Sequence, residues 1–237
     1  FFLETPSNPL GEVADLEALA ELAHSIGALL VVDNSLLSPA GSQPLKHGAD
    51  ISVSSATKAI DGHGRVMGGV LAGSEELMTQ VAVYCNSCGL AMSPFNAWQL
   101  LSGVETLSLR MEKQFDNALK IAQWLKEQPQ VQAVYYTGLP DHPQAELIRK
   151  QQNGGGIVIG FEVADQEAAW KIVDGVELFS RTANLGDVRS TITHPWTTTH
   201  GRMQPEEKLA ANIRPGLVRL SVGLEYVDDL IEDLKQV

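Results

Sequence analysis

Residues Ile51-Ser52-Val53-Ser54-Ser55-Ala56-Thr57-Lys58 decide how this chain is read. Ile51 and Val53 alternate with serines, which predicts a short buried strand. The strand runs out into hydroxyls and a single lysine, and the turn Asp61-Gly62-His63-Gly64 follows. A lysine at the end of a buried strand, beside a Gly-rich turn, is placed to be a reactive amine.

The chemistry that uses a lysine in this setting is Schiff-base formation. Partial desolvation lowers the pKa of the amine, so that it can attack an aldehyde, and pyridoxal phosphate is the cofactor most often held this way. Ser55 and Thr57, just ahead of Lys58, can donate hydrogen bonds to a phosphate at the strand end, where backbone N–H groups also gather. The pyridine nitrogen of such a cofactor stays protonated beside a carboxylate. Asp33 closes the apolar run Ala28-Leu29-Leu30-Val31-Val32. In a parallel sheet Asp33 and Lys58 both emerge at the carboxyl ends of strands, where open α/β sheets bind ligands. Taken singly, the lysine reads as a solvated residue and the aspartate as a turn former. Taken together, they read as a site.

Outward from this stretch, Phe1-Phe2-Leu3-Glu4 reads as a strand, and Asp15 caps a helix carrying Leu16, Leu19, Ala20, Ala23 and Ile26, ended by Gly27. Strand, crossover helix and strand make a βαβ unit, hence a parallel sheet. Val66 to Ala72 reads as a further strand, its paired glycines marking close approach of backbone or cofactor. Helices are expected over Glu75–Val83 and from Ser93 to Leu125, the second bent at Ser102-Gly103. Beyond Gln128-Pro129 the strand candidates are Val131–Tyr136, Gly156–Val163, Val176–Phe179 and Leu217–Val222, with helices near Ala145–Gln152, Gln166–Val173 and Tyr226–Leu234. In Leu217–Val222 the alternation sets Val218, Leu220 and Val222 on one face and Arg219 on the other.

The chain has 237 residues, 44% of them hydrophobic, enough for one large domain or two modest ones. With 17 basic and 29 acidic residues its net charge is -12, which argues against nucleic acid or an anionic membrane as partner. No apolar stretch approaches a membrane span, so a cytoplasmic location is expected. Cys85 and Cys88 form the one C-x-x-C pair and read as ordinary thiols in a reducing compartment. His194 and His200 read as structural loop histidines, and no metal site is expected.

In order along the chain, Glu4-Thr5-Pro6-Ser7-Asn8-Pro9, Val32-Asp33-Asn34, Gly48-Ala49-Asp50 and Ser55-Ala56-Thr57-Lys58 resemble the Cys/Met-metabolism family of pyridoxal-phosphate enzymes. Ser93-Pro94-Phe95-Asn96-Ala97-Trp98, Ala183-Asn184-Leu185-Gly186-Asp187 and, in the Thr/His-rich loop, Thr191-Ile192-Thr193-His194-Pro195 with Thr197-Thr198-Thr199-His200-Gly201 look most like its O-succinylhomoserine sulfhydrylase branch. Ala59 and Asn86 depart from that pattern. The resemblance implies an α/β fold of type I, with residues 1–110 forming the C-terminal part of the large cofactor domain and residues 111–237 a small C-terminal domain. It also implies a chain continued from a longer enzyme, since the sequence opens inside a core strand.

The same resemblance implies roles. Lys58 carries the cofactor and then acts as general base, Asp33 pairs with the pyridinium nitrogen, and Ser55 and Thr57 hold the phosphate. Asn8 contacts the cofactor's phenolic oxygen or the substrate carboxylate, and Arg219 with Asn184 binds that carboxylate. The implied reaction is γ-replacement on O-succinyl-L-homoserine by sulfide, with homocysteine as product and a homotetramer as the assembly. Cystathionine γ-synthase or γ-lyase chemistry is the alternative on the same scaffold, and a catalytically incompetent interface subunit is the alternative of another class.

Overall fold

The structure is a computed structural model and describes residues 1–236. In chain order, β1 (Phe2–Glu4), α1 (Leu16–Ser25), β2 (Val31–Asp33) and α2 (Ser38–Gly41) lead to β3 (Ile51–Ser55). A π turn, Ala56–Ile60, carries Lys58 directly off β3. Then come β4 (Gly69–Gly73), α3 (Glu75–Ser87), α4 (Pro94–Glu105) and α5 (Leu107–Lys126). The remainder comprises β5 (Ala133–Tyr135), α6 (Ala145–Gln151), β6 (Val158–Glu162), α7 (Gln166–Gly175), β7 (Ser180–Arg181), β8 (Thr191–Thr193), α8 (Pro205–Ala210), β9 (Leu217–Ser221) and α9 (Val227–Lys235).

Two sheets result. In the first, of order β1-β2-β3-β4, the first three strands are parallel and β4 is antiparallel to β3. The βαβ reading is therefore borne out: Asp15 Oδ1 accepts from the Ala18 N–H at 3.1 Å to start α1, and Gly27, at φ +71°, ends it. Register places Glu4 opposite Asp33 and Asp33 opposite Val53, so the carboxyl ends of all three strands lie side by side. The second sheet has the order β5-β6-β9-β8-β7 and is antiparallel except for β7 and β8.

Helix α5 joins the two sheets because its buried residues enter two cores. Leu107 and Met111 pack with Ala56, Ala59 and Ile60 beneath the π turn. Further along, Ala118, Ile121, Ala122 and Leu125 pack with Ile159, Phe161, Val218, Leu220 and Leu230 over the second sheet. A third cluster, Leu16, Ala20, Ala23, Leu30 and Val32, seals α1 onto the first sheet.

Several expectations are corrected. Val176–Phe179 is not a strand: Val176 and Phe179 are buried, but the N–H groups of Glu177, Leu178 and Phe179 donate to the Asp233 carboxylate at 2.9, 2.9 and 3.2 Å, and pairing begins only at Ser180. The helix expected from Ser93 to Leu125 is two helices, interrupted at Thr106 rather than at Ser102-Gly103. Of the paired glycines, Gly68 is approached by side chains, a Cβ there lying 2.8 Å from Leu100 Cδ1, while at Gly69, the first residue of β4, the nearest atom is the backbone oxygen of Ser54 at 4.0 Å. Ile51 and Val53 are only partly buried. The Thr/His-rich loop contains β8, and α8 was not foreseen from the pattern.

Candidate active site

Lys58 sits in the π turn at φ −90° and ψ −126°, a break in the helical run that turns its side chain away from the local hydrogen-bond ladder. Its Nζ donates to Asn184 Oδ1 at 3.1 Å. Desolvation pushes the amine below the ordinary lysine value, and the positive charge of Arg219 pushes it the same way. A partly buried amine with a lowered pKa is the form needed for attack on an aldehyde. The loop of Asn184 rests on the lysine itself: at Gly186, with φ +80°, a Cβ would lie 2.8 Å from Ala59 N and 2.9 Å from Lys58 Cβ. That loop is tied down further by the Val188 N–H, which donates to Gly62 O at 2.7 Å.

Arg219 reaches the same place from the second sheet. Only 2% of it is exposed, on the face of β9 opposite Val218 and Leu220. Burial pushes its guanidinium down to about 10. It donates to Ala183 O at 2.7 Å and, over 3.4 Å, to Asn8 Oδ1, and its buried Nε has no partner among the described residues. A buried guanidinium held by neutral acceptors, with one donor unspent, is suited to an incoming carboxylate. Asn8, Lys58, Asn184 and Arg219 thus form one connected set, although they are far apart in the chain.

Asp33 and Ser55 close β2 and β3 of the first sheet, and Thr57 lies just beyond. Asp33 Oδ1 accepts from the Ser35 N–H at 2.9 Å, and the Ser35 hydroxyl accepts from the Ser55 N–H at 2.7 Å, which links Asp33 to Ser55. Thr57 is engaged with the backbone: its hydroxyl donates to Gly68 O at 3.3 Å and accepts from the Gly68 N–H at 3.1 Å. The residues present fit pyridoxal phosphate, because the set pairs an amine of lowered pKa and a carboxylate with hydroxyls at parallel strand ends and a buried guanidinium short of one partner.

Two groups near the site were not singled out from the sequence. Arg110, 5% exposed in the first turn of α5, donates to the carbonyls of Ala59 and Ile60 directly after Lys58. Gln114, fully buried one turn on, donates to Asp187 O at 3.0 Å and Val222 O at 2.8 Å. The available signal was polar residues at helical spacing on the apolar stripe of Leu107, Met111, Ala118 and Ile121. Glu4, opposite Asp33 in the β1–β2 register, has its carboxyl raised by desolvation and then by the charge of Asp33.

His194 takes part in packing: Trp170 Nε1 donates to its Nδ1 at 3.1 Å, and its Nε2 lies 2.6 Å from Pro215 O. Among the described residues no three His, Cys, Asp or Glu side chains are grouped to hold a metal ion, and no helix is long and apolar enough to cross a membrane. A cavity of about 450 Å³, bordered by Phe115, Leu119, Tyr136 and Ile148, takes in none of the candidate residues.

Comparison with known proteins bears on the family and the fold. An O-succinylhomoserine sulfhydrylase of Pseudomonas aeruginosa is 52% identical over 235 residues, covering 99% of this chain and 58% of that protein. An L-methionine gamma-lyase of Porphyromonas gingivalis is 43% identical, covering 99% of this chain and 60% of that protein. The crystal structure of cystathionine gamma synthase from Xanthomonas oryzae pv. oryzae in complex with cystathionine matches with a TM-score of 0.94 at 43% identity, covering 99% of this chain and 61% of that one. The chain thus spans less than two thirds of the length of each. The fold is the type I fold of pyridoxal-phosphate enzymes. The family model described as Cys/Met metabolism PLP-dependent enzyme matches residues 1–237, and the chain belongs to that pyridoxal-phosphate-dependent family.

Proposed function

We propose that this chain carries the catalytic lysine and the substrate clamp of a γ-replacement enzyme that converts O-succinyl-L-homoserine and sulfide into homocysteine and succinate. The observation that carries the reading is the buried Arg219 guanidinium, short of one partner, beside the Lys58 amine. An amino-acid substrate supplies the missing α-carboxylate. The choice of acyl group and nucleophile is supported by the 52% identity with the Pseudomonas aeruginosa sulfhydrylase.

Pyridoxal phosphate, when bound, supplies an aldehyde for Lys58 and a protonated ring that withdraws electrons from the substrate. In this reading Asp33 keeps the ring nitrogen protonated, and Ser55 and Thr57 hold the phosphate, Thr57 by exchanging its bond to Gly68 O. Arg219, steadied by Asn8 and the Ala183 carbonyl, fixes the α-carboxylate and so orients Cα toward Lys58. Asn184 holds the lysine amine through Oδ1 and keeps the carboxylate loop against it. Lys58, once free, takes the Cα proton and returns protons further along the chain. Overall the Cγ–O bond breaks, succinate leaves, and a Cγ–S bond forms, with no net oxidation.

The assembly proposed is a homo-oligomer, a tetramer by family resemblance, in the cytoplasm. It is supported by the apolar side chains Phe95, Trp98, Leu101 and Val104 exposed along α4, with Val83 and Tyr84 exposed on α3. Residues 1–110 and 111–237 are proposed as cofactor-domain remnant and small domain. A second reading, cystathionine γ-synthase or γ-lyase, is favoured by the structural match to the Xanthomonas enzyme. Product analysis separates them: the protein is supplied with O-succinylhomoserine and either sulfide or cysteine. Homocysteine from sulfide as the faster reaction is expected, and cystathionine as the dominant product overturns the first reading.

A further inference from the structure

The hydrogen bonds around the π turn point to a residue outside the catalytic set. Arg110 is almost fully buried, yet no carboxylate hydrogen-bonds it among the described residues. Its Nη1 donates to Ala59 O at 2.8 Å, its Nη2 to Ile60 O at 3.2 Å and Gly103 O at 2.7 Å, and its Nε to Thr106 Oγ1 at 3.0 Å. Two of these acceptors are the carbonyls next after Lys58 and a third belongs to the last turn of α4. The guanidinium fork therefore joins the lysine turn to the α4–α5 break.

Space for the fork is built by two glycines. A Cβ on Gly62, at φ +66°, would lie 2.1 Å from Arg110 Nη1, and one on Gly103 would lie 2.2 Å from Ile60 O. Fully buried Asp61, whose charge acts on Arg110, accepts from the Arg65 N–H at 2.7 Å and from Arg65 Nε at 2.9 Å. The turn on which Lys58 stands departs from helical geometry; Ala56 O and Lys58 O accept backbone N–H groups, whereas Ala59 and Ile60 stand at its C-terminal end, where a helix leaves its last carbonyls without partners of its own. Arg110 supplies those partners through a planar, fixed set of donors that a lysine cannot reproduce.

We propose that Arg110 is a positioning residue that holds the Lys58 turn in the geometry required for attack on the cofactor aldehyde. This rests on reading Lys58 as the Schiff-base lysine. In that step Nζ adds to the aldehyde carbon, the oxygen leaves as water, and C=N replaces C=O without any oxidant or reductant.

The test compares wild type, Lys58→Ala, Arg110→Met, Arg110→Lys and Thr106→Val, each incubated with pyridoxal phosphate. Borohydride then reduces the C=N bond, and mass spectrometry reads the rate at which Lys58 becomes modified. Circular dichroism and melting temperature are followed in parallel. Arg110→Met is expected to slow attachment about tenfold or more, as a small misplacement of a reacting group does. Arg110→Lys should fall between it and wild type, and Thr106→Val, which removes only one acceptor, should slow attachment severalfold while remaining folded. Should Arg110→Met not fold, the other two variants decide. Wild-type rates in folded Arg110→Lys and Thr106→Val overturn the proposal, even if their melting temperatures fall, because a purely structural role moves only the melting. Attachment to Lys58→Ala at the wild-type rate, or none at Lys58 in wild type, instead overturns the underlying reading of Lys58.

Discussion

At the residue scale the site is governed by two cations that burial makes reluctant to be charged. Desolvation and Arg219 lower the pKa of Lys58 in the fold. The unfolded state binds the proton more readily, so stability gains with rising pH between the folded value and the ordinary lysine value. The neutral amine is also available at lower pH than in a free lysine. Cofactor attachment should therefore rise with pH around a midpoint below the ordinary lysine value, and Arg219→Met should move that midpoint upward by removing a positive neighbour. A pH series of borohydride-trapped attachment checks this, and a downward move would contradict the electrostatic account. Arg219→Lys keeps a charge but loses the fork, and should weaken amino-acid substrate binding by about tenfold or more, read by spectral titration. The placement of Lys58 and Asp33 at strand ends was legible because Asp33 closes an apolar run and Lys58 follows an alternating one. The burial of Arg219 was not, because an alternating strand shows only that it faces away from Val218 and Leu220.

At the element scale the second sheet is brought onto the lysine turn by a loop without regular structure. Gly186→Ala combines a left-handed φ with a Cβ placed against Lys58, and should destabilise the fold by about 1–3 kcal/mol. Denaturant unfolding measures this, and an unchanged midpoint would show that the loop shifts freely. The segment before β7 illustrates how a side chain can replace a strand partner. Asp233→Ala removes the acceptor of three backbone N–H groups and should cost about 3 kcal/mol or more in the same assay. Periodicity found α1, α6, α7 and α9 to within two residues of their ends, and at α1 and α7 a capping aspartate marks the start. It misread Val176–Phe179 because a buried apolar run looks the same whether its N–H groups meet a strand or a carboxylate.

At the scale of the whole molecule, an uncovered apolar surface accompanies the site. All of α3 and most of α4 lack buried residues, and every residue of β4 except Gly73 is exposed. Analytical ultracentrifugation should therefore show concentration-dependent association, which Trp98→Glu and Leu101→Glu together should weaken. A monomer at all concentrations would contradict the oligomer proposal. The sequence by itself determined the βαβ beginning, the parallel strand ends and the placement of Lys58, Asp33 and the hydroxyls among them, because strand periodicity and chain breakers are local properties. It also carried the family, through motifs spread in order along the chain. Tertiary structure alone decided that Asn184 bonds to Lys58 and Asn8 to Arg219, that Thr57 bonds to Gly68, and that Arg110 donates to the carbonyls of the lysine turn. The physical reason is that burial and hydrogen-bond satisfaction are settled by which segments pack together, and apart from Thr57 and Gly68 these partners lie far apart in the sequence.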